Sequence, residues 1–246
     1  MDQTSFRIEI AKLVVAVAGL GGTVAAAILA VRTFGRTEEW KKTEFLAREM
    51  KEFFDNPRVQ NAFTMIDWGA RDIKLFDESS ENKGRVPVTR MIQVHALLPH
   101  TFFNTASDVE KSGDGVTGSH SYTPDQAAIR DCYDSLLDGL ERFSNYVQTG
   151  LIDIDSLRPY LQYWIDDIQS PAKDNEDAAW SAALATFIAF YRFDGVRWLF
   201  RGFNRSIDPS DAAFKSFIAK MKDQDLAKKL QEAASAAVPL PNDDRN

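Results

Sequence analysis

Hydrophobic and polar positions fall into three regimes along the chain. From Leu13 to Val31 the run LVVAVAGLGGTVAAAILAV carries no charge and a single hydroxyl. From Thr37 to Ala237 apolar residues recur three and four apart between charged ones, the spacing of one helix face. The closing stretch PLPNDDRN is polar and proline-bearing, and is expected to be disordered.

In the first regime, Lys12 and Arg32 bracket 19 uncharged residues, which as a helix would extend roughly 28 Å. That matches the hydrocarbon thickness of a bilayer, so a single N-terminal transmembrane helix is expected. A signal peptide would have a shorter apolar region, although AAAILA offers a cleavage match at Ala30. A core helix of a soluble domain would usually show a polar face. Arg7 and Lys12 precede the run, whereas Arg32, Arg36, Lys41 and Lys42 follow it, which places the C-terminal part in the cytoplasm. The lone Cys132 agrees, since it can form no internal disulfide. Ala18, Gly22, Ala26 and Ala30 form a strip of small residues along which a second helix could approach, in oligomers or with a partner.

The second regime predicts an all-α domain, an antiparallel helical bundle over residues 37–236. The anchor and its flanks occupy residues 1–36, and the tail 237–246. Leu46, Met50 and Phe53 mark a helix from Thr37 to Phe54, and Asn56-Pro57 stops it and starts the next. That helix, PRVQNAFTMIDWGARDIKLF, is expected to bury Val59, Phe63, Ile66 and Ile73, with the polar loop DESSENKGRVP after it. A third helix covers Val88 to Leu98, and the glycine- and serine-rich stretch from Thr105 to Tyr122 reads as the longest loop.

Thr123-Pro124-Asp125-Gln126 has the composition of a capping box. Ile129, Tyr133, Leu136, Leu140, Phe143 and Val147 follow on one face, and Gly150 is placed to close the helix. Asp153 or Asp155 caps a helix with Leu157, Leu161, Trp164 and Ile168 inward, and Trp180, Leu184, Phe187 and Tyr191 define another. Asp208-Pro209 opens the last helix, with Phe214, Phe217, Ile218 and Met221. No segment alternates with period two, so no sheet is expected.

Charge narrows the function classes. Residues 1–32 hold three basic and two acidic side chains of the chain's 29 and 36, leaving 26 basic against 34 acidic beyond them. So acidic a domain does not favour nucleic-acid backbone binding, which relies on clustered Lys and Arg. One Cys and three His, with His95 and His100 separated by Pro99, provide no zinc-type spacing, so no metal site or cofactor is assigned. SGDGVTGSH lacks the Lys-Ser/Thr of a phosphate-cradling loop, and no nucleophile-elbow pattern occurs. No catalytic residue is assigned on these grounds.

One hexapeptide carries an enzymatic alternative. Arg90 and His95 in RMIQVH resemble the catalytic pattern of HEPN ribonucleases, all-helical domains that act as dimers. The resemblance implies an Arg that stabilises phosphate and a His in acid–base cleavage of RNA. Met91 departs from it, standing where that family usually carries a polar residue.

A second group pairs charges with large aromatics: Asp67, Trp68, Arg71 and Asp72 in MIDWGARD, with Arg192, Asp194 and Arg197 in YRFDGVRWLF. Such sets form register-setting ion pairs or Arg–Trp stacks, or line a ligand or partner pocket. A scaffold binding a nucleotide signal through Arg71, Arg192 or Arg197 is a further reading.

Over about residues 10–205, FFDNPRVQNAFTMIDWGARDI, IRDCYDSLLDGLERFSNYVQTGLID, LRPYLQYW and FYRFDGVRWLF resemble uncharacterised bacterial proteins with one N-terminal membrane helix and a small helical cytoplasmic domain. The resemblance implies a single-pass protein of the bacterial inner membrane. Some anchored helical proteins of this build are accessories of anti-phage systems that oligomerise and perturb the membrane. The expected function is accordingly non-enzymatic: self-association or docking of a protein partner at the lipid bilayer, as a defence accessory or effector. The rival is a membrane-tethered ribonuclease, the one reading in which nucleic acid is a partner.

Overall fold

The computed structural model describes residue 33 and residues 37–76, 84–100, 122–170 and 174–236. The expected anchor with its small-residue strip, most of the long loop and the tail lie outside the described residues. Among the described residues no helix is long and apolar enough to cross a membrane. The chain divides into two compact units, residues 1–49 and 50–246.

In the first unit residues 37–49 are helical. The Thr43 hydroxyl donates to the Glu39 carbonyl (2.9 Å), Lys41 pairs with Glu38 at 3.7 Å, and Trp40 is exposed.

The second unit is mostly helical. Residues 50–55 (α1) are helical, so both parts of the predicted helix 37–54 are present. The Asn56 side chain accepts from the Arg58 N–H and Pro57 takes the first position of α2 (Pro57–Trp68), which buries Val59, Phe63 and Ile66 as expected. Gly69 then adopts φ 68°, and the helix stops eight residues short of its predicted end at Phe76.

A two-stranded antiparallel hairpin follows, where no sheet was expected. β1 (Arg71–Lys74) pairs with β2 (Arg85–Val88), Arg71 opposite Val88 and Ile73 opposite Val86. Each strand buries one residue, Ile73 and Val88, so four residues a side are too few to display a period of two.

α3 (Arg90–Leu97) is capped by the Thr89 hydroxyl. α4 (Pro124–Gln148) has the anticipated capping box in full: the Gln126 N–H donates to Thr123 Oγ1 and the Thr123 N–H to Gln126 Oε1. Gly150 closes it at φ 72°, with the Leu151 N–H returning to the Tyr146 carbonyl at 3.0 Å. In α5 (Ile154–Ile168) the inward set is Leu157, Leu161, Ile165 and Ile168, and Trp164 is half-buried.

α6 (Asn175–Phe190) departs most from expectation. Every residue from Ala178 to Ala189 is buried, because α3, α7 and two further helices, α8 (Ala212–Lys220) and α9 (Gln224–Ala236), pack around it. It is a central rod rather than a helix with one narrow apolar strip. α7 (Asp194–Gly202) was not anticipated as a helix of its own. The single last helix expected from Asp208-Pro209 is instead the pair α8 and α9. It is interrupted because Asp223 accepts from the Leu226 N–H and starts a new helix (2.9 Å).

Aromatic packing joins the elements. The Phe53 ring meets Phe63 and Phe143 edge-on, with centroids 5.9 and 5.2 Å away, and Phe63 stacks on Trp164 at 4.1 Å. Phe53 lies on bare backbone at Gly139, where a Cβ would come within 2.2 Å of its ring. The carboxylate of Glu141 on α4 accepts from the Gly195 and Val196 N–H groups at 3.0 and 2.9 Å. This clasps the N-terminus of α7, where a Cβ on Gly195 would meet Glu141 at 2.7 Å.

Candidate functional site

Arg90 and His95 are five residues apart on α3, which turns them roughly 140° from one another around the helix axis. Arg90 turns inward. Its Nε donates to Asp177 (2.9 Å), Nη1 to the Met65 carbonyl (2.9 Å) and Gln93 Oε1 (3.2 Å), and Nη2 to the Ile66 carbonyl (3.0 Å). Its guanidinium carbon lies 4.1 Å from the Trp180 ring centroid. Arg90 thus satisfies the Ile66 carbonyl at the end of α2, shares the Met65 carbonyl with the Gly69 N–H, and ties α2 and α3 to α6. Gln93, fully buried, extends this knot: its Nε2 donates to the Gly69 carbonyl (2.9 Å), and its Oε1 also accepts from the Tyr133 hydroxyl (2.8 Å). Trp180 Nε1 donates to the same hydroxyl at 3.0 Å. Burial pushes the Tyr133 phenol up, so it remains a neutral donor. His95 is exposed.

The charge-and-aromatic group divides in two. At the end of α2, the Tyr163 hydroxyl reaches over from α5 and donates to Asp67 at 2.6 Å, while Arg71 lies 4.8 Å over the Trp68 ring. Trp68 is 63% exposed, Tyr163 58% and Tyr160, one turn away on α5, 39%. Asp72 is exposed in β1. The sequence flags Trp68 and Arg71. It gives no sign of Tyr163 or Tyr160, which fold geometry brings in from nearly a hundred residues away.

The other half forms an ion-pair lattice around one buried arginine. Arg197, 3% exposed, pairs with Asp194 at 3.2 Å and with Asp208, and Arg201 approaches Asp208 at 3.7 Å. Arg192 pairs with Asp194 at 2.9 Å. Burial alone would raise the Asp208 carboxyl, but hydrogen bonds from the Ser210 N–H, Arg197 and the Ser210 hydroxyl outweigh it and hold the group below its ordinary value. A pocket of about 10 Å³ beside Asp208, Ser206 and Phe214 has room for about one water. Arg192 itself adopts φ 64° at the end of α6, where the Phe193 N–H bonds back to the Ile188 carbonyl at 3.0 Å. That turn normally calls for glycine or asparagine.

Cys132 is buried, and burial pushes its thiol up to about 12, which makes it a poor nucleophile. Among the described residues no three His, Cys, Asp or Glu side chains are grouped to hold a metal. A cluster that the sequence did not single out centres on Arg130 of α4, whose guanidinium carbon lies 4.5, 4.6 and 5.0 Å from the rings of Phe187, Tyr191 and Tyr122. No protein-family model, curated protein or solved structure matches the chain.

Proposed function

We propose that this is a membrane-anchored helical protein whose second unit docks a protein partner, or another copy of itself, through the aromatic surface at Trp68, Tyr160 and Tyr163. The observation that carries the reading is the exposure of these three side chains in a unit whose other large aromatics are mainly inside. Tyr and Trp present wide apolar area with a polar edge and few rotamers to freeze, which suits them to interface centres. Arg71 over Trp68, and Asp67 bonded to Tyr163, pre-order the patch for contact. The interior supplies support of a different kind: Arg90, Gln93 and Tyr133 form a closed structural knot, with no reactive group held towards solvent.

The charge-free run 13–31 supports the anchor, and its flanking arginines and lysines support a cytoplasmic domain at a bacterial inner membrane. The anti-phage setting rests on the analogy of build alone. The ribonuclease reading requires Arg90 to bind phosphate, whereas four hydrogen bonds already engage that guanidinium.

The test is crosslinking in native membranes, with and without phage infection, on wild type and on a Trp68→Ser/Tyr163→Ser protein. Wild type is expected to give discrete adducts that the double variant loses. A chain monomeric and free of adducts in both conditions ends the proposal, as does recovery of untagged protein in the soluble fraction.

A further inference from the structure

Gly69, at φ 68°, ends α2 between Trp68 and Arg71, and beyond that turn the Arg71 guanidinium lies over the Trp68 ring, 4.8 Å from its centroid. The residue before Trp68, Asp67, accepts the Tyr163 hydroxyl at 2.6 Å. All four side chains belong to exposed residues of the second unit. The surface therefore has two adjoining halves of opposite sign: a cation on a ring at Arg71 and Trp68, and a carboxylate on a ring at Asp67 and Tyr163. Tyr160, one turn from Tyr163 on α5, widens the apolar area beside the second half.

Such a surface selects its partner by the order of its charges as well as by apolar area. A partner must bring a carboxylate to Arg71 and a cation to Asp67, side by side and next to aromatic rings. A second copy of this chain meets that requirement by construction, because a two-fold contact is self-complementary and holds in both directions. Turned about an axis between the two halves, Arg71 faces the second copy's Asp67 and Tyr163, while Asp67 and Tyr163 face the second copy's Arg71. Both pairings are opposite in sign.

Net charge sharpens the point. A chain of net charge −7 repels a copy of itself on average, so self-association needs a patch in which the signs alternate. The anchor adds a geometric condition. Copies held by residues 13–31 in one bilayer share an orientation, which permits a two-fold axis along the membrane normal, and confinement raises their effective concentration.

We infer that the Trp68 surface docks a second copy of this chain, in a two-fold contact that sets Arg71 against Asp67 across the axis. The inference rests on the partner-surface reading above and commits it to one occupant.

The test uses full-length chains carrying donor or acceptor fluorophores, reconstituted together in phosphatidylcholine vesicles, with energy transfer followed as protein is diluted in lipid. Trp68→Ser/Tyr163→Ser sets the baseline, the transfer that owes nothing to this surface, and wild type is expected to exceed it. Arg71→Asp alone places acid against acid and Asp67→Arg alone places base against base, so each should associate about tenfold or more weakly than wild type. A donor-labelled Arg71→Asp chain mixed with an acceptor-labelled Asp67→Arg chain restores both pairings, and association should return to within about threefold of wild type. Should either reversal not fold, Arg71→Gln and Asp67→Asn take its place, each expected to weaken association by about threefold or more. Wild type at the baseline overturns the inference, as do single reversals as strong as wild type or a mixture no stronger than its components. Crosslinked adducts to a different protein that need Trp68 and Tyr163, with wild-type transfer at the baseline, would keep the partner surface and overturn the second copy alone.

Discussion

Arg90 and Arg130 occupy comparable places. Both are half-buried, both lie over aromatic rings contributed by α6, and both donate to backbone carbonyls at a helix end. They differ in what completes them. Arg90 has Asp177 as counter-charge and Gln93 as a further acceptor, whereas Arg130 has three rings and, among the described residues, no carboxylate within ion-pair distance. A guanidinium paired with a carboxylate locks the fold more firmly than one held by rings and carbonyls. Substitutions at and around the two should separate these roles.

The largest effect is expected at the closed one. Arg90→Ala strands a half-buried Asp177 and the Ile66 carbonyl, and should destabilise the protein by about 3–5 kcal/mol in urea denaturation. Tyr133→Phe removes a hydroxyl shared by Gln93 and Trp180 and should cost about 1–3 kcal/mol in the same measurement. Arg130→Ala should cost less than Arg90→Ala, on the order of 1–2 kcal/mol, because among the described residues it breaks no ion pair within contact distance. Equal losses at the two arginines would break the comparison. Arg192→Gly relieves a left-handed backbone at a side chain that pairs only locally, and should raise stability by about 0.5–1 kcal/mol. Trp68→Ser should shift stability by no more than about 0.5 kcal/mol while reducing crosslinked adducts, since its ring is already in solvent.

Legibility followed locality. The start of α4 could be read outright, because a capping box is complete within four residues, and the apolar faces of α2 and α4 are periodic over several turns. The hairpin was hidden by its length, and Gly69 looked like an interior residue until its positive φ showed it to be a stop. α6 was misread because its four large residues are periodic within a run of alanines that is buried too. Helices that keep a polar face were one support for reading 13–31 as an anchor, and α6 shows that this protein also builds a helix without one. Of the sites, RMIQVH was visible because it is contiguous, yet helical phase separates its two functional residues. The Arg130 cluster was invisible for the converse reason: Tyr122, Phe187 and Tyr191 are gathered by folding, and IRDCYD carries no trace of them.

Gly139 has one more consequence. A hydrogen atom there, in place of a methyl, is the keyway into which the Phe53 ring slides, and it selects a single seat along α4 for the segment that carries that ring. Drift to a larger residue at 139 would need a trimmed ring at 53 in the same lineage, so the two positions should change in tandem when homologues are aligned.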